Sequence, residues 1–463
     1  MTVTIRDLMT DPALFGGQFG GESFANWRTL LAAKYGLELS EDERITLEAI
    51  TGRTDAPQDA FSELWLAVGR RGGKSQVAAL IATYEAAFKD HRAKLATGEW
   101  ATILLVAADR AQARTLLRYV RGLFEHPLLS PLVTRTTESS IELGETRTII
   151  EVGTASYRAL RGYTLAAFVA DEVAFWFSDG ASPDREIIQA IRPALATLGG
   201  PLIALSSPYA KRGVLWDTYK RHFGGDSARI LVAQAPSRTM NPTLPQAVID
   251  EAMADDPEAA RAEYLAEFRS DISSFLDVEL IERATRSRPL ELPPLEGEQY
   301  FGFVDPNGGG KDEFTMGIAH VEGDLTVVDM VRGRNGSPAG IAEEFAAIFK
   351  QYRIGAVYGD RYAGRWPADE FRKHGIEYLA SELDRSALYL ELMARLNSGA
   401  VILPPDDKLK RQLGNLERRT HRSGRDTIDH PPGSNDDRAN AVAGAVAFSR
   451  TRKATAVTKA VIF

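Results

Sequence analysis

The chain has 463 residues with no cysteine, 44% hydrophobic and 25% charged residues, and a formal net charge of −8. This is the composition of a globular protein with room for about three domains, and it excludes disulfides and thiolate metal sites. No apolar run reaches the ~18 residues of a membrane span, and the N-terminal segment 1–17 lacks the order of a secretory signal, so we expect a soluble protein with no membrane partner.

The first half of the chain alternates apolar, strand-like runs with helical stretches. Such alternation predicts an α/β fold with a largely parallel sheet covered by helices on both faces. We therefore predict a domain over residues 1–240, with an N-terminal extension over 1–60. The predicted strands are LWLAV, TILLVAA, TIIEVGTA, AAFVADE, PLIALSS and ILVAQA.

The pattern changes between residues 241 and 298, where proline-punctuated, Ala/Glu-rich sequence predicts a small helical linker region closed by a hinge. A second domain is predicted over 299–452, followed by a tail over 453–463. Its strands YFGFVD, TMGIAHV and LTVVDMV come first, and helices then alternate with the strands IGAVYGD, IEYLA and AVILP. Three meandering strands followed by this alternation is the element order of the ribonuclease H architecture.

A glycine-rich turn joins the first predicted strand to a helix in LWLAVGRRGGKSQVAALIA. Backbone N–H groups of Gly72, Gly73 and Lys74 would cradle phosphate, while the lysine reaches the outer phosphates and Ser75 holds Mg²⁺. Val68 occupies the position of the first glycine of the standard motif, so an ordinary strand-to-helix turn remains an alternative for this motif alone.

Two acidic residues end the strand AAFVADE. Asp171 would face the Mg²⁺ at the carboxyl edge of the sheet, and Glu172 beside it would polarise the attacking water. The next strand ends in Ser206 and Ser207, where a polar strand end near the γ-phosphate can sense hydrolysis. An ordinary Ser-Pro turn is the simpler alternative for the two serines.

A second acidic set is spread over the C-terminal half. Asp305 ends its first strand, Asp360 ends the fourth, and Asp436 and Asp437 open the last helix. In a ribonuclease H-like sheet these positions converge, and carboxylates forced together bind divalent cations. Two ions about 3.5–4 Å apart can activate water and stabilise the leaving oxygen of a phosphodiester. Oxygen ligands favour Mg²⁺ or Mn²⁺ over zinc.

The acidic net charge argues weakly against a nucleic-acid partner. Two local basic groups oppose this: Arg110, Arg114, Arg118 and Arg121 recur at helical spacing, and five basic residues crowd positions 418–425. Taken alone, solvated helix faces are the simpler interpretation of both groups.

These motifs resemble the terminase large-subunit family of tailed bacteriophages, over about residues 27–450. The resemblance implies an N-terminal P-loop (ASCE/RecA-like) ATPase domain and a C-terminal ribonuclease H-like nuclease domain. GRRGGKS resembles the family's variant Walker A motif, including Arg70 and the missing first glycine. FVADE resembles Walker B, with Asp171 on Mg²⁺ and Glu172 catalytic, and SSP resembles the coupling motif.

The same resemblance implies further roles and partners. Arg161 resembles an arginine that reaches a neighbouring subunit's ATP site, although a salt-bridged surface arginine is an equal alternative. VDPNGGGKDEF, VYGDRYAG and NDDRANAVAGA resemble the three nuclease motifs, which gives Asp305, Asp360 and Asp437 or Asp436. Asn435 stands where relatives often carry histidine.

The implied function is an oligomeric motor that hydrolyses ATP, translocates double-stranded DNA and cuts it with its nuclease. Its implied partners are the terminase small subunit and the portal protein, on which it forms a homo-oligomeric ring. The implied location is the host cytoplasm and, transiently, the viral procapsid. Two alternatives stay open: a helicase-nuclease of DNA repair or restriction, and a nucleotide-gated DNA-binding clamp with an inert nuclease domain.

Overall fold

A computed structural model describes residues 3–55, 59–154, 163–176, 183–306, 313–360, 365–420, 426–432 and 434–449. The chain divides into two compact units, Met1–Ser270 and Asp271–Phe463. The division falls within the segment 241–298, whose assignment as a separate linker region stays a prediction, as do the other domain limits. None of the described helices has the length and apolar character that crossing a membrane requires.

Four helices precede the first sheet and were not predicted individually. They are α1 (Ile5–Thr10), α2 (Gly16–Phe19), α3 (Ala25–Lys34) and α4 (Glu41–Thr51). Capping boxes begin α1 at Thr4 and α4 at Ser40, where the side chain of each cap and the acid three residues later bond each other's backbone amides. Trp27 of α3 is fully buried in the core of this unit. The helices thus pack as part of the first unit.

All six strands predicted in the first half are present in an eight-stranded sheet of order β3-β4-β5-β2-β6-β7-β1-β8. The run from β5 to β8 in this order is parallel, whereas β3 and β4 add an antiparallel edge. The strands are β1 (Glu63–Val68), β2 (Ala101–Ala107), β3 (Val133–Thr136), β4 (Ser140–Leu143), β5 (Thr148–Thr154), β6 (Leu165–Asp171), β7 (Leu202–Ser206) and β8 (Ile230–Ala235).

Helices cover both faces of this sheet, as the continuous apolar strands predict. On β1, Leu64 and Leu66 pack on one face with α5 and α6, while Trp65 packs on the other with α7 and α8. The α/β fold class of the first half is confirmed. The helices are α5 (Lys74–Ala87), α6 (Arg110–Phe124), α7 (Pro183–Ala196), α8 (Gly213–His222), α9 (Ser237–Met240), α10 (Gln246–Asp255) and α11 (Pro257–Tyr264).

The second unit is built on a six-stranded sheet of order β14-β13-β10-β11-β12-β15. Strands β10, β11 and β12 form an antiparallel meander, and β13 and β14 continue parallel to β10. This is the ribonuclease H-like order that the sequence predicts. The strands of this sheet are β10 (Tyr300–Asp305), β11 (Phe314–Glu322), β12 (Leu325–Arg334), β13 (Ala356–Gly359), β14 (Glu377–Ala380) and β15 (Val401–Ile402). The strands β9 (Ile272–Ser274), β16 (Glu417–Thr420) and β17 (Asp426–Asp429) form a small sheet of order β17-β16-β9.

The last helix lies directly on the central strands of this sheet. A Cβ at Gly444 would approach the Phe303 ring to 2.2 Å, and one at Gly317 would approach the Ala441 carbonyl oxygen to 2.6 Å. Glycines therefore allow the close packing that brings the start of this helix to the sheet edge. The helices are α12 (Val278–Ala284), α13 (Pro338–Gln351), α14 (Trp366–Lys373), α15 (Arg385–Asn397), α16 (Asp407–Asn415) and α17 (Asp437–Phe448).

Candidate functional site

The glycine-rich turn leaves β1 and ends at the N-terminus of α5. Gly73, the N-cap residue, has φ of +94°, and a Cβ at Gly72 would lie 2.8 Å from the Val68 side chain. Glycine is thus required for the loop to turn this tightly. Lys74 and Ser75 begin α5, so their amides have no intrahelical acceptor and offer an anion-binding site.

Side chains from outside the loop hold three consecutive loop carbonyls, those of residues 70–72. Ser237 Oγ donates to the first at 2.6 Å, Asn241 Nδ2 to the second at 2.9 Å, and the buried Trp27 Nε1 to the third at 2.8 Å. These three hydrogen bonds fix the loop carbonyls, so side chains from outside the loop hold its conformation. None of these three side chains was predicted to act on the loop.

Lys74 is buried and forms the centre of the first site. Its Nζ donates to the Val68 carbonyl oxygen and to Ser207 Oγ, both at 2.9 Å, and lies 3.8 Å from Glu172 Oε1. Burial lowers the pKa of Lys74, and the carboxylate of Glu172 opposes that shift. The ends of three elements that are far apart in sequence therefore meet at one ammonium group.

Asp171 and Glu172 differ in their surroundings although they are adjacent. Burial, with the charge of Glu172 second, raises the pKa of Asp171 to about 7, and its Oδ1 is buried without a hydrogen-bond donor among the described residues. Glu172 has φ of 51°, and its Oε2 accepts from Ser206 Oγ at 2.9 Å and from the Ser207 amide at 3.2 Å. An unpartnered buried carboxylate oxygen suits a hard divalent cation.

A cleft of about 620 Å³ opens over these residues. Phe24 and Tyr119 line it, as does Arg70, which also pairs with Glu263 at 3.2 Å. The buried Trp27 lies under the loop, where its Nε1 bonds the Gly72 carbonyl oxygen. The lining also includes the loop residues Arg71, Gly72, Gly73, Lys74, Ser75 and Gln76, with Glu172 and Asn241. Arg161 lies outside the described residues.

In the second unit, three acidic residues come to the same sheet edge. Val304 pairs with Gly359 in parallel register, so Asp305 and Asp360, the next residue on each strand, lie side by side. At the start of α17, the Asp437 carbonyl accepts from Thr315 Oγ1 at 2.7 Å. Thr315 is the register partner of Asp305, so Asp437 belongs to the same edge.

Asp305 is held by Asn440, which lies one turn into α17. Asn440 Nδ2 donates to Asp305 Oδ2 at 2.9 Å, and Asn440 Oδ1 is buried without a described partner. Burial raises the pKa of Asp305 to about 7, and the nearby charges of Asp436 and Asp437 act in the same direction. The site therefore disfavours full ionisation in the absence of a cation.

Asp436 points into a different environment from Asp437. It is buried, accepts from the Tyr389 hydroxyl at 2.6 Å, and lies 3.3 Å from an Arg385 nitrogen. Among the described residues, the possible metal-ligand atoms of Asp429, His430 and Asp436 all lie within 4.8 Å of one another. The three acids of the edge do not form such a group. Arg385 already supplies a cation to the group around Asp436, so the carboxylate of Asp436 is ion-paired in this arrangement.

Several residues around the second site were not predicted from sequence. Asn440 follows Asp436 and Asp437 by four and three positions in NDDRAN, so helical spacing is a signal that could have placed it on the same face. Arg385 and Tyr389 lie on α15, some fifty residues away from Asp436, and no local pattern connects them to it.

The fold and these sites define a class: a chain that joins a P-loop nucleotide-binding unit to a ribonuclease H-like unit with an acidic edge. The chain is similar to solved structures of phage large terminases. The crystal structure of the HK97 bacteriophage large terminase is 15% identical, covers 91% of this chain and 99% of its own, and gives a TM-score of 0.40.

Two further structures extend the comparison. A large terminase from a thermophilic bacteriophage is 12% identical, with 87% of this chain and 97% of that chain covered and a TM-score of 0.39. The large terminase nuclease of the thermophilic phage G20c is 18% identical, with 37% and 96% covered and a TM-score of 0.32. No family model and no curated protein matches the chain. At these low identities and TM-scores the likeness assigns no activity.

Proposed function

We propose that this chain is the large subunit of a viral terminase, which uses ATP to translocate double-stranded DNA into a procapsid and cleaves that DNA endonucleolytically. The observation that carries this proposal is the presence, in one chain, of a buried lysine–serine–glutamate site under a phosphate loop and of an acidic edge on a ribonuclease H-like sheet. A nucleotide-driven motor that also cuts the DNA it moves needs both sites.

For the ATPase, the arrangement of these residues supports each required role. The Gly72 amide, expected from the sequence to bind phosphate, donates to the Gly69 carbonyl oxygen at 3.2 Å. The amides of Gly73, Lys74 and Ser75 would therefore bind phosphate, and Ser75 with Asp171 would offer the oxygen ligands that Mg²⁺ prefers. Bound Mg²⁺ would neutralise charge that develops on the phosphates. Glu172, held by the end of β7, would orient the attacking water.

Ser206 and Ser207 support a coupling role. Ser207 contacts Lys74 through its hydroxyl and Glu172 through its amide. When the lysine moves to nucleotide phosphate, its bond to Ser207 must break, so the end of β7 would respond to the nucleotide state. Arg70, on the cleft rim, would assist phosphate binding, and Arg161 is proposed as an arginine that acts on a neighbouring subunit.

For the nuclease, we propose Asp305, Asp360 and Asp437 as the ligands of Mg²⁺ or Mn²⁺, with Asp436 in support. Their oxygens and the raised pKa of Asp305 fit a site that ionises fully when cations bind. Two such ions would activate water and stabilise the leaving oxygen. A motor must tolerate every sequence, so DNA contacts would be to backbone phosphates, and binding would be strongly salt-dependent.

The remaining partners are part of the same proposal: the terminase small subunit, the portal protein, and further copies of this chain in a ring. A helicase-nuclease would need a second nucleotide-binding core, and the described residues contain one parallel sheet with a phosphate loop. An inert clamp would have no use for Glu172 or for the three acids of the edge. ATP hydrolysis on adding DNA would therefore favour the motor over the clamp.

Plasmid cleavage and ATP hydrolysis test the two sites separately. Wild type, Asp305→Ala and Glu172→Ala are compared on linear and supercoiled plasmid in Mg²⁺ or Mn²⁺. We expect wild type to cut with little sequence preference, Asp305→Ala to lose cleavage but keep ATPase, and Glu172→Ala to do the reverse. Undiminished cleavage by Asp305→Ala would remove the nuclease assignment, and undiminished hydrolysis by Glu172→Ala would remove the assignment of the catalytic carboxylate.

A further inference from the structure

One exposed helical face in the first unit combines strong positive charge with a position beside the nucleotide cleft. Arg110, Arg114 and Arg118 recur every fourth residue on α6, about 6 Å apart along the helix axis. All three side chains are exposed, whereas the opposite face of the helix is buried in the core. We call these three arginines the α6 stripe.

The composition of α6 is unusual for this acidic chain. From Arg110 to Phe124 the helix contains four arginines and no aspartate or glutamate, although the chain as a whole has a net charge of −8. The side chains between the stripe residues on the solvent side, Gln112 and Thr115, are neutral hydrogen-bonding groups. A surface of this kind is complementary to a polyanion.

The acidic groups near the stripe do not neutralise it. Glu138 lies 3.7 Å from Arg114, but both side chains are mostly exposed, at 93% and 63%, so the pair is weak. Glu151 shares a surface depression with Arg110 and Arg114. Asp109 is engaged as the N-cap of the helix, where it accepts from two backbone amides. No described carboxylate is within salt-bridge distance of Arg110 or Arg118.

The same helix reaches the nucleotide site. Tyr119, the neighbour of Arg118, lines the nucleotide cleft, and α6 packs against α5, whose N-terminus is the end of the phosphate loop. A force applied to the stripe would therefore be transmitted through α6 to the wall of the nucleotide cleft. This geometry links a polyanion surface to nucleotide binding without any intermediate segment.

We propose that the α6 stripe is a contact surface for the phosphate backbone of double-stranded DNA and that α6 couples this contact to the nucleotide cleft. The inference rests on the proposed function and deepens it by assigning the surface. Arginine side chains that meet phosphates release counterions, so each contact contributes about 0.9 to the slope of log affinity against log salt concentration.

The test compares two variants of the full chain with equal charge change. Arg110→Gln/Arg118→Gln removes two charges from the stripe, and Arg44→Gln/Arg221→Gln removes two exposed charges from α4 and α8. Binding of a fluorescent DNA duplex of mixed sequence is measured by anisotropy from about 50 to about 200 mM salt. ATP hydrolysis without DNA is measured alongside as a check that both variants are folded.

We expect the stripe variant to lower the salt slope by about 1.8 and to weaken binding about tenfold or more, while the control keeps the wild-type slope. Stimulation of ATP hydrolysis by DNA should fall with binding. Equal slopes in the two variants would overturn the assignment, as would normal DNA affinity with lost ATP turnover, which would indicate that the stripe meets another copy of the chain. Failure of wild type to bind DNA would instead refute the proposed function, and the assignment with it.

Discussion

Trp27 offers the sharpest test of how the phosphate loop is held. The Trp27→Phe substitution keeps a buried aromatic ring but removes the N–H that donates to the Gly72 carbonyl oxygen at 2.8 Å. Because Trp27 is fully buried, water does not replace the lost donor. Losing one hydrogen bond costs about 1 kcal/mol, and leaving a buried carbonyl unsatisfied costs up to about 3 kcal/mol.

We expect this cost to appear in two measurements. Relaxation of the loop should raise the KM for ATP, and the Kd of a fluorescent ATP analogue, about 5- to 10-fold, because about 1 kcal/mol is a factor of five. The kcat should change less than twofold, since Glu172 and its two serine partners are untouched. The melting temperature should fall by a few degrees.

Trp65→Phe is the matched control for this prediction. Trp65 is also fully buried in the first unit, and its Nε1 donates at 2.9 Å to Glu63, at the far end of β1 from the loop. The two variants should lose similar thermal stability, yet only Trp27→Phe should lose ATP affinity. If both raise the KM equally, or neither does, the indole bond does not orient the loop and the reasoning fails.

Three further predictions follow from buried contacts. Ser207→Ala removes a hydrogen bond from the phosphate-loop lysine, so steady-state ATPase assays should give a kcat about tenfold lower; an unchanged kcat would contradict the coupling role. Asn440→Ala frees one oxygen of Asp305, so plasmid cleavage should need about tenfold more Mg²⁺ while ATPase stays normal; an unchanged Mg²⁺ titration would exclude a positioning role. The hydrogen bond to Asp329 raises the pKa of His320 to about 9 from 6.5, so its stabilisation is complete below about pH 6.5 and is lost as pH rises through 9. Melting temperatures measured from pH 7 to pH 10 should therefore fall more steeply for wild type than for His320→Gln, and parallel curves would refute this.

The central strands of the first sheet were predictable from sequence because they are apolar on both faces. Runs such as LWLAV and TILLVA are buried over their full length, and burial of that kind leaves an unbroken hydrophobic signal. The small sheet β17-β16-β9 was not predictable for the opposite reason. Its strands have three or four residues, and β16 is the sequence ERRT, whose buried Glu417 gives no apolar signal. Pairing with distant strands, and not local propensity, makes these residues extended.

The convergence of the acidic residues was likewise predictable, whereas their partners were not. Parallel neighbours end at one sheet edge, so the strand assignment alone places Asp305 beside Asp360. The groups that orient the sites come from elements with no sequence relation to them: Trp27 lies 45 residues from its acceptor Gly72, and Tyr389 lies 47 residues from Asp436. Such contacts depend on tertiary packing, which periodicity does not encode.

Each of the two sites brings together carboxylates that repel one another. The two sites differ in how this negative charge is balanced. In the first, Lys74 supplies a cation beside Glu172 and Asp171. If nucleotide binds as proposed, Lys74 would move toward phosphate, and Asp171 would then be a ligand of the accompanying Mg²⁺. In the second, the neutral amide of Asn440 holds Asp305, and the nearest cation, Arg385, is paired with Asp436, so a bound metal would supply the remaining positive charge. ATP hydrolysis should therefore tolerate low free Mg²⁺ better than DNA cleavage, and a nuclease that is saturated at lower Mg²⁺ than the ATPase would contradict this account.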